Sequence, residues 1–300
     1  MRLILTGFGA FQGVSHNPTE QLIAFVEQQG ADLLPGVDVE LRTLRVAASA
    51  ADAFAAELAF RGSAATPTPL LIVHLGVDSR PDRLPTIALE RCATNECGFP
   101  VPDEDGLVLG RERACCGVGG GVVGGGGDGD GGDSGGGGCC KTPTPPVGAR
   151  LSTGLDLCAL RLGLERRRDA RTGGRRPSGA EYGVAVSEDA GRFLCNYVYA
   201  RSLHACARLR EGRPVAEAEA SGGRREEGGD GGEGARGGGG GGRRLVADAL
   251  FVHVPPFAVL PERAQREALV DLLRELAAAV TTQQQGPTGE AGEAGEAGES

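Results

Sequence analysis

The sequence has no excess of positive charge, no long apolar run and no cysteine spacing of the zinc-binding kind, and each absence removes a class of function. Its 31 Lys+Arg stand against 40 Asp+Glu, a formal net charge of −9, and no long basic run interrupts that balance. Such a chain lacks the positive field that neutralises phosphates, which argues against nucleic acid as its partner and favours a small or neutral ligand. No stretch approaches the roughly 18 apolar residues of a membrane span. The leading Leu3-Ile4-Leu5 is broken by Thr6-Gly7, short of the apolar core of a secretory signal. No membrane partner and a cytoplasmic location are therefore expected. The nine cysteines are an odd number, expected as thiols in a reducing compartment. Cys115-Cys116 and Cys139-Cys140 are adjacent pairs rather than C-x-x-C, so neither a metal nor another cofactor is predicted.

What the chain has in abundance is glycine, unevenly spread. Of 52 glycines, 15 fall between Gly117 and Gly138, 13 between Gly222 and Gly242 and 5 in the tail from Gly286. Windows of that composition bury too little apolar area to offset chain entropy, and loop closure grows only logarithmically with length. One domain over 1–285 is expected, interrupted by disordered inserts at about 111–146 and 214–243 and followed by a disordered tail, 286–300.

Between the inserts, patterns alternate. Arg2 to Thr6 reads as a strand, and Asn17-Pro18-Thr19-Glu20 as an N-cap, a proline at the first helical position and a capping-box-like acid, with Gly30 as the stop. A strand over Val37–Val46, a helix over Ala47–Arg61 and a buried strand over Leu70–Leu75 closed by Gly76 follow, then a strand over Thr86–Thr94. After the first insert come a helix with Leu155, Cys158, Ala159 and Leu162 on one face, a strand over Gly183–Val186 and a helix from about Cys195. After the second, the strand Leu245–Val254 ends at Pro255-Pro256, and Pro261 opens a helix with Leu269, Leu272, Leu273, Leu276 and Val280 along one stripe. This order predicts an α/β fold, a three-layer αβα sandwich with a largely parallel, twisted central sheet.

In such a sheet ligands gather beyond the carboxyl ends of the strands. SEDAGRFLCN places Cys195 where a strand and a glycine turn enter a helix, whose first-turn amides and dipole favour a thiolate and could serve an oxyanion. The competing reading is a small buried hydrophobe. His253, before Pro255-Pro256, is aimed toward the same edge, against the alternative of a structural buried imidazole; His16, His74 and His204 are less well bracketed. Glu90 lies among apolar residues, where a carboxylate needs a partner: an imidazolium, or Arg91 in a structural pair. Cysteine, histidine and acid together would make a nucleophile, base and orienter.

At these residues the sequence resembles the pyroglutamyl-peptidase I family of cysteine peptidases. TGFGAFQGVSHNP at Thr6–Pro18, LERCATN around Glu90, Pro102-Asp103, SEDAGRFLCN and FVHVPP occur in the family's order. The resemblance implies a hydrolase that removes amino-terminal pyroglutamate from peptides, with Cys195, His253 and Glu90 as its catalytic residues. It assigns Phe8 and Phe11 to the lactam pocket, Phe193 and Leu194 beside it, and Asn17 to a hydrogen bond with substrate. The implied partners are peptides with an amino-terminal pyroglutamate; oligomeric state is left open. The chain departs from the pattern at Pro100, where many relatives carry an arginine associated with the oxyanion, and proline has neither charge nor N–H.

Two other readings stand beside this one. Gly7, Gly9 and Gly13 follow a strand and precede a helix, as in a dinucleotide-binding protein, but G-x-G-x-x-x-G sets the third glycine one residue late. A catalytically weakened homologue, whose glycine-rich inserts serve an interaction, is the second.

Overall fold

The computed structural model describes residues 1–12, 16–61, 68–83, 85–115, 145–172, 182–210 and 247–285. The predicted tail, the body of both inserts and Cys116, Cys139 and Cys140 lie outside the described residues.

Among the described residues eight strands and five α-helices follow one another as β1 (Arg2–Phe8), α1 (Pro18–Gln29), β2 (Asp38–Leu44), α2 (Ala48–Arg61), β3 (Leu70–Val77), β4 (Thr86–Glu90), β5 (Cys92–Thr94), β6 (Arg150–Ser152), α3 (Leu157–Thr172), β7 (Gly183–Ser187), α4 (Leu194–Arg210), β8 (Ala247–Val254) and α5 (Glu262–Gln285). Six strands form one sheet in the order β2-β1-β3-β8-β4-β7, and β5 and β6 pair separately. All neighbours in the large sheet are parallel except β4 and β8. The predicted α/β sandwich and largely parallel sheet are what the chain adopts. One face carries α1, α3 and α5, with Leu22, Leu160, Leu272 and Leu273 against Leu5, Val73 and Leu250. The other carries α2 and α4, with Phe54, Leu58, Val198 and Leu203 against Ile4, Ile72 and Phe251. Strands such as β8, buried at all eight residues, need cover on both faces, which is why they read as continuous apolar runs.

Local signals placed α1 well. Asn17 Oδ1 accepts from Thr19 N at 3.0 Å, Pro18 opens the helix, and Gly30 ends it at φ +66. Four expectations need correction. Gly76 does not end β3, which runs on through Val77. A Cβ on Gly76 would lie 2.6 Å from the Phe251 ring, so the residue is small because β8 presents an aromatic there. The single strand over Thr86–Thr94 is two strands in different sheets, broken at Arg91. The buried face of α3 is Leu157, Leu160 and Leu164, with Cys158 and Leu162 exposed. Finally, residues 111–115 and 145–146 belong to the packed structure: Ala114 and Cys115 are buried, and Asn95 accepts from Cys115 N at 2.6 Å and donates to Pro145 O at 2.6 Å. One buried amide therefore holds both ends of the first insert together.

Candidate active site

The site is built where β8 sits between a parallel and an antiparallel neighbour. Across the parallel pair, His253 lies opposite Gly76 of β3. Across the antiparallel pair, Ala88 lies opposite His253 and Glu90 opposite Phe251, so Glu90 and His253 are diagonal neighbours on one face. That face looks toward the α2/α4 layer, as Phe251 does. His253 Nδ1 and Glu90 Oε1 are 2.8 Å apart, with His253 4% and Glu90 0% exposed. The imidazolium partner foreseen for Glu90 is thus present, and Arg91 is not the competing partner; it approaches Glu188 instead, at 3.8 Å.

Cys195 enters from the opposite direction. Because β4 and β7 run against β8, the chain leaving Ser187 must double back, and it does so through a turn with Gly191 at φ +82 before α4 begins at Leu194. Cys195 is the second residue of that helix and half-buried, and its Sγ lies 3.2 Å from where a Gly76 Cβ would be. A side chain at Gly76 would occupy the space beside the sulfur. The first amides of a helix have no partner within it, so those of α4 present N–H groups at the end where Cys195 lies. Asn196 fixes this turn: its Oδ1 accepts from Thr94 N at 2.8 Å, and its Nδ2 donates to Thr94 O at 2.9 Å and Glu96 O at 2.7 Å.

The electrostatics favour a protonated His253. Burial pushes the imidazole down, but hydrogen bonds to Cys195 and Glu90, with the charges on both, outweigh it and hold the pKa at about 9. Since Glu90 takes Nδ1, Nε2 is the nitrogen left for Cys195. His74, two residues before Gly76, behaves oppositely. It is fully buried, bonded to Thr6 Oγ1 at 2.6 Å and Ser202 Oγ at 2.9 Å, and desolvation lowers it to about 3, so it is a neutral core residue. His16 is exposed and His204 is half-buried.

The other sequence-selected residues divide. Phe11 and Phe193 are half-buried and meet with ring centroids 5.8 Å apart, and Phe99 joins edge-on to Phe193 at 5.0 Å. Phe8 and Leu194 are buried in the same apolar cluster, at 5% and 2% exposure. Asn17 caps α1 and also donates from Nδ2 to Gly9 O at 2.9 Å. Asp103, of the Pro-Asp pair, accepts from Ala48 N at 2.8 Å at the start of α2, and from Asp105 N and Leu107 N. Pro100 is exposed. In the β1–α1 loop the amides of Phe8 and Gly9 are spent on Thr19 Oγ1 and Leu44 O, which leaves them unable to cradle a pyrophosphate.

Sequence reasoning missed a cluster of charge behind Glu90. Arg83 Nη1 donates to Ser187 Oγ at 2.9 Å, Asp189 O at 3.1 Å and Glu90 Oε1 at 3.3 Å. Arg80 grips Asp78 through Nε and Nη2 and reaches Asp189 Oδ2 with Nη1 at 2.9 Å. No local pattern marks such arginines; only the separation of Asp78, Arg80 and Arg83 along one loop after a strand hinted at a polar turn. Among the described residues no group of three or more His, Cys, Asp or Glu is placed to hold a metal ion. A void of about 10 Å³ among Leu22, Leu75, Val252 and Leu269 lies on the other face of the sheet and is too small for an amino-acid-sized ligand.

No protein-family model matches the sequence, and no curated protein matches it. Solved structures do. Pyrrolidone carboxyl peptidase from the hyperthermophile Pyrococcus furiosus is 19% identical with a TM-score of 0.55, over 94% of this chain and 99% of that one. Pyroglutamyl peptidase I from Bacillus amyloliquefaciens is 16% identical at 0.55, over 92% and 97%. The pyrrolidone carboxyl peptidase of Thermococcus litoralis is 18% identical at 0.55, over 95% of each chain. Together with the sheet order and the Cys195–His253–Glu90 arrangement, these likenesses give the chain the fold of the pyrrolidone carboxyl peptidases.

Proposed function

We propose that the protein is a cysteine peptidase that hydrolyses the amino-terminal pyroglutamyl group from peptides. The observation that carries the reading is a single buried imidazole, His253, bonded to Glu90 through Nδ1 and raised to a pKa of about 9 by its interactions with both Cys195 and Glu90. A cysteine and an imidazolium held in this way form an activated nucleophile and its acid.

In this mechanism the Cys195 sulfur, its proton held on His253 Nε2, attacks the pyroglutamyl carbonyl carbon. The carbonyl oxygen takes the negative charge and is met by N–H groups at the start of α4, which need no arginine at Pro100. As the C–N bond breaks, His253 Nε2–H protonates the departing amine, and a thioester remains on Cys195. A water that gives its proton to the now neutral His253 attacks the thioester carbonyl, releasing pyroglutamate and restoring the sulfur–imidazolium pair. Glu90 holds the ring orientation throughout and stabilises its charge.

The lactam is compact and uncharged, so its pocket calls for apolar walls and few polar groups. Phe11 and Phe193, in contact and half-buried at the approach to α4, suit that role. Phe8 and Leu194 back them from the core, and Asn17 stands at the loop's far end. Purified protein is expected to release naphthylamine from a pyroglutamyl-naphthylamide, and Cys195→Ala to abolish the release. A Cys195→Ala protein that retains full turnover overturns the reading.

A further inference from the structure

We propose that Arg83 is a positioning residue for the catalytic set, keeping Glu90 a correctly aimed carboxylate while His253 gains and loses its proton. The inference rests on the peptidase reading and extends it to a residue that touches neither substrate nor sulfur.

Glu90 is fully buried, and a carboxylate there needs a cation beside it. His253 supplies one only while protonated. When the imidazole gives its proton to the departing amine, Glu90 would, without Arg83, face a neutral ring in a dry interior with no cation beside it. Arg83 prevents this, because a guanidinium stays charged throughout. Its Nη1 lies 3.3 Å from the same oxygen, Oε1, that His253 uses. The second oxygen, Oε2, is buried and has no hydrogen-bond partner among the described residues, so Oε1 ties Glu90 to both cations. The other carboxylates beside Arg83 are Asp78, whose Oδ2 is 3.6 Å from Nη1 and is itself gripped by Arg80, and Asp189, whose Oδ2 is 3.5 Å from Nη2. Tyr199, from α4, donates its O–H to the Glu90 backbone oxygen at 2.8 Å and leaves the carboxylate alone.

Arg83 also reaches the segment that delivers the nucleophile. It donates to Ser187 Oγ and Asp189 O, Ser187 Oγ accepts in turn from Asp189 N at 3.2 Å, and Asp189 Oδ1 accepts from Gly191 N at 3.0 Å. Four residues beyond Gly191 stands Cys195. One guanidinium thus sets the aim of Glu90 and the start of the turn leading to the sulfur. Its side chain is 21% exposed, enough for a small cation to reach the place if the arginine is removed.

The test compares wild type, Arg83→Lys and Arg83→Met for pyroglutamyl-naphthylamide hydrolysis, melting temperature and the rate at which iodoacetamide alkylates the peptide carrying Cys195. Expected for Arg83→Met is a kcat lower by about tenfold or more with KM within about twofold, a partial recovery in Arg83→Lys, and a severalfold gain when low, non-denaturing guanidinium is added but not with sodium at equal ionic strength. A merely structural arginine would give no such rescue. Unchanged kcat and alkylation in Arg83→Met overturn the proposal, as does a loss that follows melting temperature and ignores guanidinium. If Arg83→Met does not fold, a lowered kcat at constant KM in Arg83→Lys supports the proposal and an unchanged one overturns it. If wild type cleaves no pyroglutamyl substrate the peptidase reading fails separately, and the alkylation rates, with and without guanidinium, still decide the role of Arg83.

Discussion

Replacing Glu90 with Gln keeps the size and an acceptor for His253 Nδ1–H while deleting the charge. In the wild type, burial alone would drive the imidazole below its ordinary value of 6.5; the bonds and charges of Cys195 and Glu90 reverse that and hold it at about 9. Taking the charge from a buried, charge-assisted hydrogen bond of 2.8 Å costs about 1.5–3 kcal/mol of its contribution. At about 1.36 kcal/mol per decade of rate, kcat/KM should fall roughly 10- to 150-fold. The sign of the pH effect follows as well. In the proposed mechanism His253 carries the proton handed to the departing amine, and with one of its two raising partners gone it loses that proton at lower pH. The alkaline limb of kcat/KM, expected near 9 in wild type, should therefore move toward neutrality. Pyroglutamyl-naphthylamide hydrolysis measured from mildly acidic to alkaline pH gives both readouts. A Glu90→Gln enzyme with wild-type kcat/KM and an unmoved alkaline limb would refute the role given to this carboxylate.

Three further outcomes are expected. Gly76→Ala would place a methyl 2.6 Å from the Phe251 ring and 3.2 Å from Cys195 Sγ; relieving that overlap should cost about 1–3 kcal/mol in a melt and lower kcat by about tenfold or more, and a fully active, equally stable variant would contradict the packing described. His74 binds protons less readily folded, at about 3, than its ordinary 6.5, so the unfolded chain takes up the proton first and stability should fall as pH drops from about 6.5 toward 3. Urea melts across that range test it, and His74→Asn should flatten the slope. Replacing residues 117–144 with a short Gly-Ser loop should leave kcat/KM within about twofold, because Asn95 already joins Cys115 to Pro145 and closure entropy changes slowly with length; a collapse of activity would show that the insert takes part in catalysis.

The parts of this fold readable from sequence were those set by neighbours in the chain. Asn17-Pro18 and Gly30 bound α1 through cap geometry that three or four residues determine. The segments holding Cys195, His253 and Glu90 could be picked out because a cysteine at a strand-to-helix turn, a histidine before Pro-Pro and an acid among apolar residues are each locally conspicuous. What escaped was decided by partners distant in sequence. Gly76 reads as a stop until Phe251 is seen beside it. The antiparallel β4–β8 pairing, which puts Glu90 diagonal to His253, leaves no trace in either strand's composition. On α3, two apolar stripes were available, and docking selected the one including Leu160 and Leu164; Gly163, between them, lets Glu275 of α5 lie close. Arg83 and Arg80 carry no local signal in the sequence, and only the return of Ser187 and Asp189 beside them reveals a network.

The central claim is that Cys195 carries the pyroglutamyl group as a thioester in mid-reaction. Acid quenching during the first turnovers of a pyroglutamyl-naphthylamide, followed by mass spectrometry of the Cys195 peptide, addresses it directly. The account predicts a pyroglutamyl adduct on that peptide, formed as fast as naphthylamine is released. Rapid naphthylamine release with Cys195 unmodified, or with the adduct on another cysteine, would contradict it.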